Sequence, residues 1–257
     1  MNIINIRGLN WKPGTGHILK ELSTEFRAGV FYGIIGPNGS GKTSLLRHIM
    51  RILEPDKQVL QLNGTDIRSL KRKTLGREMS WVPQNTSIDV NFTAFEIVLM
   101  GRAPYLKPFQ GESAGDLNIV REAMELTNSW SLREKAFYTL SGGEAQRVIT
   151  ARAIAQDTPV IILDEPVSHL DIRHQKELME TMKVLNKDRG KTILAVLHDL
   201  NLAAQYCDEL LLLHKGKIFA QGTPKKVLTC ENLSEVYGIE FHRLTHPTTK
   251  GLYLIPK

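Results

Sequence analysis

The residues with the most definite chemistry lie at Gly36-Pro37-Asn38-Gly39-Ser40-Gly41-Lys42-Thr43. A glycine, four variable positions and then Gly-Lys-Thr form a phosphate cradle. Its glycines allow a sharp turn and let backbone amides approach phosphate oxygens, and the helix that follows presents unpaired N–H groups to the same anion. Lys42 is spaced to reach the β and γ phosphates of a nucleotide, and Thr43 to set its hydroxyl on Mg2+. The flanks agree with this reading. An apolar strand-like run occupies residues 30–35, and Leu45, Leu46, Ile49 and Leu53 follow at helical spacing up to Pro55. Val160-Ile161-Ile162-Leu163-Asp164-Glu165 supplies the other half, a buried strand delivering a carboxylate at its C-terminal end. Asp164 is expected to hold Mg2+. Glu165, one residue on, can point elsewhere and polarise the water that attacks the γ phosphate. A dinucleotide-binding fold leaves Lys42 without a role, although Glu54 or Asp56 lies near the spacing of its ribose acid.

A second anion-binding helix start is written at Leu140-Ser141-Gly142-Gly143-Glu144-Ala145-Gln146-Arg147. Ser141 and Glu144 have the spacing of a capping box, and Gly142 and Gly143 leave the helix start open. Beside the phosphate loop, this stretch resembles the signature motif of the ATP-binding-cassette (ABC) ATPases, and the resemblance covers nearly the whole chain. It implies an α/β fold, a P-loop NTPase core of the ABC ATPase type with an antiparallel β subdomain and an inserted helical subdomain. Residues 1–257 then form a single ABC ATPase domain. Residues 1–92 and 156–222 would be the nucleotide-binding core, 93–155 the helical subdomain, and 223–257 C-terminal helices and short strands.

The resemblance also implies roles. Gln84 matches the glutamine that contacts Mg2+ and the attacking water, and His198 the switch histidine at the γ phosphate. Trp11 falls where the family stacks an aromatic ring on adenine. Gly36, Asn38, Gly39, Ser40, Gly41, Lys42, Thr43 and Ser44 would line the bound ATP. Ser168-His169-Leu170-Asp171 matches a loop that crosses a dimer interface. A head-to-tail homodimer follows, in which Ser141, Gly142, Gly143 and Asp171 serve the partner's nucleotide. Departures from the pattern are mild: Thr43-Ser44 stands for Ser-Thr, Val167 for Thr, Lys135 for Arg, and Ala145 for a bulkier polar residue. None removes a catalytic group.

Within the family the resemblance is strongest to importer ATPases for iron–siderophore complexes, haem and cobalamin. It rests on Val98-Leu99-Met100-Gly101-Arg102-Ala103-Pro104-Tyr105, on Gly222-Thr223-Pro224 and on Val236-Tyr237-Gly238. That implies ATP hydrolysis driving import through two separate membrane permease subunits, with a substrate-binding protein acting indirectly. Residues 85–105 would form the permease groove, and the chain would sit on the cytoplasmic face of the cell membrane. An exporter ATPase and a soluble, non-transport ABC ATPase are the rival readings. A GTP switch fits less well, because Asn186-Lys187-Asp188-Arg189 has Arg189 where guanine recognition needs an aspartate.

Composition and patterning place these residues on a scaffold. Of 257 residues, 42% are hydrophobic and 23% charged, which is a globular balance rather than a disordered one. No window approaches ~20 consecutive apolar residues, and residues 1–10 lack the basic start and apolar run of a secretory signal. Cys207 and Cys230 are too few for a disulfide framework or a four-ligand metal site, and the histidines show no tight ligand spacing. The net charge of +6 permits a polyanionic partner, but the basic run Lys71-Arg72-Lys73 is too short for a nucleic-acid stripe, so none is expected.

Short apolar runs alternating with helical patterns predict an α/β chain. Strands are expected at Ile3, Ile4, Ile6 and Leu9, and at residues 17–26, 30–35, 59–62, 79–82, 160–163 and 192–197. A hairpin should turn at Lys215-Gly216. A capping box is read at Thr93 and Glu96, and Asp116 is read as the cap of a helix through Ile119, Val120, Ala123, Met124 and Leu126. Ile172, Gln175, Leu178, Met179, Met182 and Leu185 are expected to share one helix face, and the tail at residues 239–255 to be short strands or irregular.

Overall fold

The computed structural model describes residues 1–84, 91–107, 111–168, 170–245 and 251–257. His169 and residues 85–90 of the expected permease groove lie outside the described residues. In chain order the elements are β1 (Asn2–Trp11), β2 (Leu19–Arg27), β3 (Phe31–Ile35), α1 (Lys42–Ile49), β4 (Leu60–Leu62), β5 (Thr65–Asp66), α2 (Arg72–Glu78), β6 (Met79–Val82), α3 (Ala94–Leu99), α4 (Ala114–Leu126) and α5 (Gly142–Ala155). There follow β7 (Val160–Asp164), α6 (Ile172–Arg189), β8 (Thr192–Val196), α7 (Leu200–Tyr206), β9 (Glu209–His214), β10 (Lys217–Gly222), α8 (Pro224–Val227), α9 (Cys230–Tyr237), β11 (Phe241–Thr245) and β12 (Leu252–Pro256). They gather into two compact units, Met1–Leu70 with Thr192–Lys257, and Lys71–Lys191.

The first unit holds an antiparallel sheet in the order β2-β1-β4-β5. Along β2, Leu22, Thr24 and Phe26 are buried while Ser23, Glu25 and Arg27 are exposed, the period-two pattern of a strand with one face in the core. β3 differs because all five of its residues are buried. A continuous apolar run suits a strand covered on both faces, and β3 pairs in parallel with β8 on one side and β9 on the other. β9 turns into β10 through Lys215 and Gly216, both at positive φ (48° and 82°), the backbone that a tight two-residue hairpin requires. The helix after the phosphate loop ends at Ile49, so Leu53 lies beyond it in a turn stabilised by Leu53 N donating to Arg47 O. The tail forms the hairpin β11–β12, and the Asn201 carboxamide of α7 bonds both the N–H and the C=O of Leu254.

In the second unit β6 pairs in parallel with β7, and α5 packs against α3 and α4. Capping boxes start α3 at Thr93, α4 at Ser113 and α5 at Ser141. Asp116 is therefore not the cap of α4. Ser113 is, and Asp116 is its partner three residues on, returning its carboxylate to the Ser113 N–H. The same carboxylate accepts from Arg102 Nε at 2.9 Å, and Arg102 also donates to Ala155 O at 2.8 Å and lies 4.1 Å from the centre of the Tyr105 ring. The Ser113 hydroxyl and N–H, with the Arg102 guanidinium, hold the Asp116 pKa down at about 2. Along α6 the buried face is Leu178, Met179, Met182 and Leu185. Ile172 departs from it and is 86% exposed, because it occupies the first turn beyond that face.

Two outcomes follow from the Asp116 site. Ser113→Ala should lower stability by about 1 kcal/mol in chemical denaturation, the usual cost of a lost N-cap. Because the Asp116 pKa is depressed from 3.8 to about 2 on folding, its charged form stabilises the fold above pH 4 and that contribution fades as the pH falls toward 2. The stability gap between wild type and Asp116→Asn should narrow over that window, and a gap constant from pH 6 to pH 2 would contradict the assignment.

Candidate functional site

In the first unit the phosphate loop leaves β3 at Gly36. Gly36 has φ 143°, and a Cβ there would lie 2.2 Å from Leu213 O and 2.9 Å from Ser40 Oγ, so only glycine fits. Tyr237 of α9 adds to its confinement: the Gly36 N–H faces the Tyr237 hydroxyl, whose pKa burial pushes up to about 12. Asn38 and Gly39 form the exposed tip of the loop, while Ser40 and Lys42 are buried beneath it. The loop folds back on itself through Ser40 N donating to Pro37 O, and Lys42 Nζ donates to Gly36 O at 2.9 Å and Pro37 O at 3.1 Å. The ammonium is thereby held against the loop rather than extended into solvent. Gly41, at φ 104°, caps α1 without a side chain, so the first N–H groups of α1 are not consumed by a side-chain cap. Thr43 and Ser44 occupy that first turn, half-buried.

His198 belongs to the same unit. β3 and β8 run in parallel with Ile34 opposite Val196, and Leu197 N donates to Ile34 O. Two residues beyond that pair the strands yield Gly36 and His198, the latter exposed at the strand end. Asp199 then caps α7 by accepting from Asn201 N and Leu202 N. Trp11 closes β1, half-buried, with its ring perpendicular to that of His48 at a centroid distance of 5.0 Å.

The second unit repeats the device. Val82 lies opposite Leu163, and two residues on stand Gln84 and Glu165, where Gln84 Nε2 donates to Glu165 Oε2 at 2.6 Å. Asp164, at the end of β7, is 2% exposed. Glu165 has φ 51°, a left-handed backbone that costs a non-glycine residue about 1–2 kcal/mol. Ser168 fixes the turn by donating both its N–H and its hydroxyl to Glu165 O. Asp171 caps α6 through His174 N and Nδ1, and these bonds draw its pKa below the ordinary value.

The signature stretch lies on the same unit. Ser141 Oγ accepts from Glu144 N, and Glu144 returns a bond to Ser141 N at 2.9 Å. That bond first, and Lys135 at 3.1 Å second, hold the Glu144 pKa down. Ser141 and Gly142 are exposed, and Gly143 rests 3.6 Å from Leu170 measured from a built Cβ. In the first unit the hydroxyl of Thr43, and in the second the carboxylate of Asp164 and the amide oxygen of Gln84, are hard oxygen donors of the type that Mg2+ prefers. Among the described residues no cluster of His, Cys, Asp and Glu has the make-up of a self-contained metal site.

These features can be set beside known proteins. The ABC transporter profile matches residues 19–168. Relatives extend over almost all of the chain. The ferric enterobactin transport ATP-binding protein FepC of Escherichia coli is 36% identical over 99% of this chain and 95% of its own length. The hemin import ATP-binding protein HmuV of Pseudomonas entomophila is 36% identical over 95% and 96%. The iron(3+)-hydroxamate import ATP-binding protein FhuC of Bacillus subtilis is 34% identical over 97% and 93%. This chain belongs to the ABC transporter family. The fold agrees: a chain of an inward-facing metal-chelate-type ABC transporter superposes with TM-score 0.86 at 24% identity, covering 100% of this chain and 97% of its own. The dimeric ATP-binding cassette MJ0796 bound to ADP and Pi gives TM-score 0.77 at 25% identity, covering 86% and 98%.

For an ABC cassette, three features of the two half-sites were not anticipated. His48 stands against Trp11, the Glu165 backbone is left-handed, and Lys135 braces the signature cap. Lys135 stands out in the sequence as a departure before the signature, though not as a brace, and His48 is a histidine among the buried positions Leu45, Leu46 and Ile49 of α1.

The glycine geometry sets a ranked expectation. Gly36→Ala should destabilise the cassette by about 3 kcal/mol or more, since strain is joined by a backbone clash. Gly39→Ala, with φ 77° and open space around it, should cost only about 1 kcal/mol. Thermal melts of the two variants test the ranking, and equal melting temperatures would contradict it.

Proposed function

We propose that this chain is the ATPase subunit of an importer that moves an iron–siderophore, haem or cobalamin-type chelate through a separate permease. The observation that carries this reading is the likeness along nearly the whole chain to ATPases named for such imports, 36% over 99% for the first of them. No helix among the described residues is long and apolar enough to cross a membrane, which fits an ATPase that reaches the cytoplasmic face of the membrane by docking. Phe92 and Met100, apolar yet 39% and 42% exposed, support the segment after Gln84 as the docking surface. A substrate-binding protein on the far side would deliver the chelate.

In the proposed mechanism the phosphate loop and the first turn of α1 bind ATP through backbone N–H groups, with Lys42 on the β and γ phosphates. Thr43, Asp164 and Gln84 would hold Mg2+, which when bound neutralises charge building up on the phosphate oxygens. Glu165 takes a proton from water as its oxygen bonds to the γ phosphorus and the bond to the ADP oxygen breaks. Gln84, bonded to Glu165, orients that carboxylate and the water. His198 contacts the γ phosphate from the neighbouring strand end, and Trp11 stacks on adenine.

Two copies would sandwich two ATP molecules head to tail. Ser141, Gly142, Gly143 and Asp171 of each copy would face the partner's nucleotide. Exposed Tyr138 (63%) and Ile172 (86%) flank these residues and suit burial in such a contact.

Glu165→Gln should lower ATP turnover by roughly 10²–10⁴-fold while ATP affinity is kept, because only the proton acceptor is removed. Turnover within twofold of wild type would sink the assignment. Lys42→Ala should weaken ATP binding itself in an equilibrium titration. For the transport reading, the tagged chain should co-elute with a polytopic permease from gently solubilised membranes. Recovery only in the soluble fraction would keep the ATPase and refute the importer.

A further inference from the structure

His48 is fully buried and has no part in the reaction described above. It lies near the C-terminal end of α1, the helix whose N-terminal residue is Lys42. Its Nδ1 lies 2.7 Å from Ser44 O, one turn back, which fixes the rotation of the ring. Burial lowers its pKa, so the ring is held in its neutral form and Nδ1–H is the donor to that carbonyl. Nε2 has no hydrogen-bond partner among the described protein atoms. What the ring does meet is Trp11, at 5.0 Å and 72°. A perpendicular contact of this kind helps to hold an aromatic ring in place and itself takes up at most one of the ring's faces. Trp11 is half-buried, so part of the residue remains within reach of a ligand.

We infer that His48 is a positioning residue for base recognition: it braces Trp11 so that the indole presents a fixed face to the adenine ring. The inference rests on the reading of Trp11 as the adenine platform. The brace also ties the two ends of the nucleotide site together. Lys42 and His48 are six residues apart on one helix, or about 9 Å of axial rise. α1 thus sets the distance between the phosphate loop at its start and the base platform leaning on its end. Without the brace, Trp11 would be free to rotate at the end of β1, and stacking would have to order the ring at the moment of binding.

The test compares a ligand that has a base with one that lacks it. ADP and inorganic pyrophosphate are titrated calorimetrically into wild type, Trp11→Ala, His48→Leu and His48→Phe, with thermal melts confirming that each is folded. Leucine fills the site without an aromatic edge, and phenylalanine keeps the ring without the bond to Ser44. ADP affinity should fall about 3–10-fold in His48→Leu and recover in His48→Phe, while pyrophosphate affinity stays unchanged in both. Equal weakening of ADP and pyrophosphate would overturn the inference, since His48 would then act on the whole helix. Unchanged ADP affinity in His48→Leu beside a loss in Trp11→Ala would overturn it and leave Trp11 as the platform. Unchanged ADP affinity in Trp11→Ala would remove the platform itself, and the brace with it.

Discussion

Parallel strand pairing carries the chemistry of this chain. Parallel neighbours release their chains at the same level and in the same direction, so residues that leave adjacent strands at equal register stay close without a designed loop between them. Ile34 opposite Val196 places Gly36 beside the start of the His198 turn, and Val82 opposite Leu163 places Gln84 beside Glu165. The 2.6 Å bond between Gln84 and Glu165 joins residues 81 positions apart in sequence, and register alone brings them together. A slip of one residue in either pair would move every side chain to the opposite face of the sheet. In β3 and β7, packed on both faces, that exchange would put differently shaped side chains into close-packed surroundings and is costly. The apolar content of the strands is therefore what gives the polar residues beyond them their precision.

The loops beyond the strands are correspondingly inflexible in design. Gly36 is enclosed by Leu213 O, Ser40 and Tyr237, and Lys42 is tied to two carbonyls of its own loop. The left-handed backbone at Glu165 is a local cost that the two Ser168 bonds help to offset. That backbone follows from two demands on adjacent residues. Asp164 is buried at the end of β7, whereas Glu165 must swing toward Gln84, and an extended residue at 165 would continue the strand instead.

Much of this was legible in the sequence, and the pattern of success has a physical basis. The phosphate loop could be read because glycine is demanded by backbone geometry at fixed spacing, and the signature because a capping box has a three-residue period. The Lys215-Gly216 hairpin and the core strands followed from turn chemistry and apolar runs. Misreadings arose where one residue type fits two local roles. Asp116 suits a helix cap, but Ser113 stands three residues earlier and both ends of a capping box attract acidic or hydroxyl side chains. Ile172 fits the apolar period of α6 and still lies outside its buried face, because hydropathy cannot register where packing begins. The His48 contact with Trp11 joins residues 37 apart through a strand and a helix, and no local pattern encodes such a meeting.

What the chain leaves exposed is as informative as what it buries. Ser141 and Gly142 present the start of a long helix to solvent with its cap already made. Asp171, drawn toward its charged form by His174, sits on another helix start, and Ile172 beside it is an apolar side chain at the surface. A lone cassette has no evident use for an open second glycine-rich helix start and gains nothing from exposing isoleucine. Two copies arranged head to tail would use both, since the partner's phosphates would meet the α5 terminus while the exposed apolar residues were covered. In that arrangement ATP is part of the interface, and its binding energy is also association energy. Hydrolysis then weakens the contact by changing the charge and connectivity of the ligand it encloses. On the proposed reading, a site built on strand register would thereby pass its change of state to a membrane partner.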